Sequence, residues 1–135
     1  MLGFAPPDFD LTALDAYLRR VIPGLDGGPV LDRISGGQSN PTYFLSYPTH
    51  RTVLRMPPKG PLLPSAHAVD REHRIMRALE NTSVPVPQML ALCTDPDVIG
   101  RPFYVMARVE GRVFNECWLP GVNPAERRAM YFAMA

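Results

Sequence analysis

The sequence predicts an α+β fold, an antiparallel sheet of about five strands packed on a helix that carries a glutamate. Three observations lead to it. Runs rich in β-branched and aromatic residues fall at residues 30–34, 42–47, 52–56, 89–93 and 103–106, each bounded by turn-forming residues. The first three are joined by connections short enough for a meander. Between the third and fourth, over residues 66–81, Val69, Ile75, Met76 and Leu79 alternate with Asp70, Arg71, Glu72, Arg74 and Arg77, as a half-buried helix requires.

Taken in order, residues 1–9 contain Gly3, Pro6 and Pro7, show no periodicity and are expected as a loose lead-in. Asp10 offers a helix N-cap, Leu11, Leu14, Leu18 and Val21 or Ile22 recur at helical spacing, and Pro23-Gly24 stops the run. Asp26-Gly27-Gly28-Pro29 turns the chain into the first strand, and Pro48-Thr49-His50 connects the second to the third. The proline-rich stretch 57–64 cannot be regular structure, because proline removes backbone donors and restricts its predecessor. Ser65 is the expected cap of the Glu72 helix. Residues 95–100 read as a polar turn before the most strand-like run, Phe103-Tyr104-Val105-Met106. Asn123, Pro124 and Glu126 stand at the cap, first and third positions of a last helix. This helix reaches Ala135 without a stop signal, the expected mark of a chain truncated inside a second lobe. The organisation expected is therefore a lead-in over 1–9, one lobe over 10–111, and a linker with the first helix of a further lobe over 112–135.

Composition narrows the class of partner. With 46% hydrophobic residues, 20% charged and a formal net charge of +1, the chain has the make-up of a globular domain and no bulk charge to hold nucleic acid or an anionic membrane. A small-molecule ligand is the better expectation. No run of about 20 apolar residues occurs and the N-terminus lacks a signal-peptide pattern, so a cytoplasmic location is expected. Cys93 and Cys117 belong to no metal-ligand pattern and are expected as buried free thiols.

Two constellations carry candidate chemistry. Ser35-Gly36-Gly37-Gln38-Ser39-Asn40 lies between two strands. It could cover phosphates through backbone N–H groups and polar side chains, or be a plain hairpin. Neither GxxxxGK[ST] nor GxGxxG is present, and a strand follows the glycines, which excludes the P-loop and the dinucleotide fold. Arg55 at the end of the third strand, with Glu72 on the next helix, has the order of a kinase small lobe. There a strand base neutralises nucleotide phosphates and a helix carboxylate orients that base.

SGGQSNPTY at 35–43, VLRMPPKGPLLPSAHAVDREHRIMRAL at 53–79, VPVP at 84–87 and IGRPFYVMARVEGRV at 99–113 together resemble the N-terminal lobe of the aminoglycoside phosphotransferase family, with its kinase-like fold. More narrowly, they resemble the subgroup related to the kinase domain that precedes acyl-CoA dehydrogenase domains in fusion proteins. The resemblance implies an ATP site. Gly36, Gly37, Gln38, Ser39 and Asn40 would cover the phosphates, Ile34 and Val53 would wall the adenine pocket, and Arg55 and Glu72 would form the basic residue and its partner. Met106, Ala107 and Val109 would line the connector, with the Ala107 C=O and Val109 N–H meeting adenine.

It also implies transfer of the γ-phosphoryl group to a small-molecule hydroxyl, a hydroxyacyl compound being one candidate acceptor. The family's His-Gly-Asp loop and its magnesium ligands do not occur in these residues. No catalytic residue is therefore assigned, magnesium is expected to be held by a missing lobe, and the isolated chain is expected to be inactive. The competing expectations are a non-catalytic nucleotide-binding module and a protein-interaction module, with self-association through the uncovered lobe face.

Overall fold

The computed structural model describes residues 2–3, 6–34, 40–61, 68–114 and 116–135. The expected strands form as β2 (Val30–Ile34), β3 (Thr42–Ser46), β4 (Arg51–Arg55), β5 (Met89–Cys93) and β6 (Phe103–Ala107). A two-residue strand, β1 (Leu2–Gly3), pairs with β2 at one edge. The lead-in is thus not wholly loose, and within it the Phe9 ring stands edge-on to Tyr43 at 5.6 Å. Every pairing is antiparallel and the order is β1-β2-β3-β4-β6-β5.

Alternation along the strands divides the sheet into two faces. On one, Tyr43, Leu45, Leu54, Phe103 and Val105 meet Leu14 and Leu18 of α1 (Leu11–Val21) in the main core. Helix α1 begins where the Asp10 carboxylate accepts from Thr12 N at 2.9 Å and Ala13 N at 3.2 Å, and it closes at Ile22, just before Pro23-Gly24. Tyr47, just past the end of β3, reaches across to donate to Asp15 Oδ1 at 2.7 Å. Gly27 makes the turn into β2 possible. Its φ is +73°, and a Cβ there would lie 2.7 Å from Pro48 Cγ.

The opposite face carries α2 (Val69–Leu79) on a smaller apolar cluster of Val69, Met89 and Tyr104, with Met76 and Met106 against it. This helix starts later than the sequence suggests. Ala68 is its N-cap and offers no side-chain hydrogen bond, while the proposed cap, Ser65, lies outside the described residues. At the other end Glu80, whose side chain is 13% exposed, ties the helix to β5. Its carboxylate accepts from Met89 N at 2.6 Å and pairs with Arg77.

The backbone hydrogen bond, reinforced by the Arg77 guanidinium, holds the Glu80 carboxyl below the usual carboxylate range. A depressed folded-state pKa stabilises the fold above the unfolded value, and that contribution is lost as pH falls through the folded value. Glu80→Gln is therefore expected to melt lower than the parent at neutral pH, with the difference shrinking once pH falls below the ordinary glutamate value of about 4.3. Thermal melts across that interval check it, and parallel curves for the two proteins would contradict it.

Three further details correct the sequence reading. Residues 95–100 are not a plain turn: Pro96–Ile99 make one helical turn, α3, capped by Asp95 and closed by Gly100 at φ +85°. Cys93 is buried as expected, but Cys117 is exposed. β4 spans Arg51–Arg55, one residue earlier at each end than predicted. The last helix, α4 (Pro124–Met134), forms as expected, with Asn123 Oδ1 accepting from Glu126 N at 2.8 Å. No helix among the described residues is long and apolar enough to cross a membrane.

Candidate functional site

The pairing register puts Thr42 opposite Arg55, and Arg55 opposite Tyr104. Three polar side chains from β3, β4 and β6 therefore stand side by side on the α2 face. Glu72, one turn into α2, reaches down to them. Arg55 Nε donates to Glu72 Oε2 at 2.8 Å and Nη2 to Oε1 at 3.4 Å, a two-point contact of guanidinium and carboxylate. The Tyr104 hydroxyl donates to Oε2 at 2.8 Å and Asn40 Nδ2 to Oε1 at 3.3 Å. Arg55 Nη1 also donates to Thr42 Oγ1 at 3.4 Å, and that hydroxyl donates to Asn40 O at 3.0 Å.

Both oxygens of one carboxylate are thus held from three directions, and the guanidinium is fixed in plane by its partner. The Arg55 and Glu72 side chains are 22% and 34% exposed, so the pair is sheltered without being sealed. Burial, and then the hydrogen bond to Glu72, push the Tyr104 phenol well above its ordinary pKa. It stays a donor throughout the physiological range.

Beside this network the next row of the same face is apolar. Phe44 pairs with Val53, and Val53 with Met106. Val53 is buried, and the Arg108 guanidinium lies over the Phe44 ring at 3.7 Å from its centroid. Ile34 ends β2 and is half-buried. In the connector, Ala107 N donates to Gln88 O at 2.8 Å, Arg108 N donates to Arg51 O at 3.0 Å, and Val109 is 70% exposed.

Of the residues singled out in the sequence, the fold brings Arg55, Glu72 and Asn40 into direct contact and sets Val53 and Met106 beside them. Asn40 is turned inward, 3% exposed, onto the Glu72 carboxylate. Gly36, Gly37, Gln38 and Ser39 lie outside the described residues. Tyr104 and Thr42 were not singled out. The tight turn at Pro48-Thr49 could have found Thr42, since a hairpin closed between Tyr47 and His50 sets 42 against 55. No local signal marks Tyr104, whose neighbour Arg55 is 49 positions earlier in the chain.

A family model described as APH, phosphotransferase enzyme family, matches residues 30–135. The chain belongs to the phosphotransferase enzyme family. Its fold is the kinase-like one of that family: a solved structure from Ralstonia eutropha JMP134, described as an aminoglycoside phosphotransferase, superposes with a TM-score of 0.78 at 44% identity, covering 93% of this chain and 36% of that one. The narrower resemblance to the subgroup found with acyl-CoA dehydrogenases also holds. Acyl-CoA dehydrogenase family member 11 of Gallus gallus is 47% identical over 130 residues, which is 93% of this chain and 17% of that protein. Member 10 of Mus musculus is 47% identical over 123 residues, 90% of this chain and 12% of the relative. The chain therefore spans only a small part of the length of the curated relatives it matches.

Proposed function

We propose that this chain is the ATP-gripping lobe of a phosphotransferase that delivers the γ-phosphoryl group to a hydroxyl of a small molecule. The observation that carries the reading is the two-point Arg55–Glu72 contact on the α2 face of the sheet, 2.8 Å at its shorter bond and partly open to solvent. A guanidinium cannot lose its proton at any working pH, so Arg55 is a fixed positive charge. With Nε and one N–H of Nη2 committed to Glu72 and one N–H of Nη1 to Thr42, the second N–H of each Nη remains for phosphate oxygens. Tyr104 and Asn40 hold Glu72, Glu72 holds Arg55, and the charge is in place before a ligand arrives. Val53 and Met106 supply an apolar floor beside it, with Ile34 at the end of β2, two strands from β4, and Ala107 and Val109 in the connector.

ATP, when bound, supplies the phosphoryl group. Magnesium accompanies such transfers, and the described residues do not suit it, since no cluster of three His, Cys, Asp or Glu side chains is placed to hold a metal ion. Its ligands and the catalytic base are assigned to residues outside this chain, and the 135-residue chain alone is expected to bind without turning over. The relatives named as acyl-CoA dehydrogenase family members favour a hydroxylated acyl compound as the acceptor.

Titration with a non-hydrolysable ATP analogue tests the reading. Saturable binding is expected, weakened by about ten- to a hundredfold in Arg55→Ala, the scale of one charge-assisted contact. Binding that is unchanged in Arg55→Ala, or no binding by the parent chain, would sink it.

A further inference from the structure

A cleft of about 620 Å³ lies apart from the site just described, between the 57–60 segment, the first turns of α2 and the Gly100–Pro102 approach to β6; neither Arg55 nor Glu72 lines it. Arg101 lines both this cleft and a smaller adjoining one. Its side chain is only 8% exposed, and its Nη2 donates to Asp8. Its Nε and Nη1 are buried and have no hydrogen-bond partner among the described residues. Buried donors on a permanently charged group are normally matched, because water is no longer there to solvate them.

The surroundings are of the same sign. Lys59, Arg71 and Arg74 line the cleft against a single acid, Asp70, and none of the three makes an ion pair among the described residues. Helix α2 also opens here, with Ala68 at its cap and, among the described residues, no side chain taking its first-turn N–H groups. Four cations, a helix start with no side-chain cap among the described residues and two unmatched guanidinium nitrogens call for more negative charge and more acceptor atoms than Asp70 and the Asp8 partner of Arg101 provide.

We propose that this cleft binds a dianionic phosphate group, present either as inorganic phosphate or as the phosphate of a small ester. The group would sit between Lys59 and the first turn of α2, with the Arg101 fork behind it. The inference is independent of the nucleotide reading, because the two sites share no residue.

Amide chemical shifts of the full chain, titrated with sodium phosphate and with glycerol 3-phosphate against sodium chloride of matched ionic strength, decide the matter. Saturable shifts centred on Lys59, Gly60 and Val69 to Arg71 are expected. Lys59→Ala/Arg74→Ala, which removes exposed side chains and should leave the fold intact, is expected to weaken binding at least about tenfold. Arg55→Ala is expected to leave it unchanged. Tighter binding of the ester assigns an esterified ligand, tighter binding of inorganic phosphate assigns the free anion, and either supports the site. Arg101→Met should abolish binding, and should that variant fail to fold by circular dichroism, the Lys59/Arg74 pair decides alone. Shifts that never saturate, or binding that survives Lys59→Ala/Arg74→Ala, overturn the proposal. Loss of binding in Arg55→Ala alone overturns it too, because the anion would then belong to the nucleotide site.

Discussion

Truncation of Phe103 to alanine is expected to lower the free energy of unfolding by about 3–5 kcal/mol, a large share of what a domain of this size has. Phe103 is fully buried at the start of β6, and its ring meets Tyr17 of α1 edge-on at 5.6 Å. It joins the sheet to the helix that covers it, so the void left by truncation cannot close without moving one or the other. Urea melts measure the loss, and Phe114→Ala, at a residue 38% exposed beyond the sheet, is the control expected to change stability by under about 1 kcal/mol. A Phe103→Ala variant as stable as that control would show that the main core is centred elsewhere.

Removal of the Glu72 carboxylate is expected to cost more in binding than in stability. Glu72→Ala leaves Arg55 Nε and the Tyr104 hydroxyl without their 2.8 Å acceptor and frees Arg55 to take other rotamers. Affinity for an ATP analogue should fall by about tenfold or more, because the charge must then be ordered by the ligand itself. The Glu72 side chain is 34% exposed, so water replaces part of the lost contact and the fold should lose only about 1 kcal/mol. Glu72→Gln keeps an oxygen acceptor without the charge and should fall between parent and alanine variant. Full analogue affinity in Glu72→Ala would mean that the carboxylate does not position the arginine for nucleotide.

Much of this architecture is written locally. Asp10 and Pro23-Gly24 bracket α1, and Asn123, Pro124 and Glu126 start α4, because caps act within a few residues of themselves. The Arg55–Glu72 contact was legible from the order of strand, proline-rich connection and helix, and from the family resemblance. The placement of β6 between β4 and β5 was not, since a strand that inserts between two others is chosen by burial of Phe103, Tyr104 and Val105 and not by any turn. Tyr104 was read as one more strand aromatic for that reason. The start of α2 was missed because its cap position holds Ala68, a residue with no cap signal. The exposure of Cys117 was missed because a cysteine's usual preference for burial yields to where the connection before α4 runs.

The strand alternation has one further consequence. Arg55 and Tyr104 lie on one face of the sheet, while their immediate neighbours Leu54 and Val105 pair with each other on the face beneath α1. A one-residue slip of β4 would drive a guanidinium into hydrocarbon and strand a leucine in water, a double penalty that a misaligned chain could not survive. Correct alignment of the greasy side therefore proofreads the polar one, and a molecule that has folded at all has already assembled its arginine cradle.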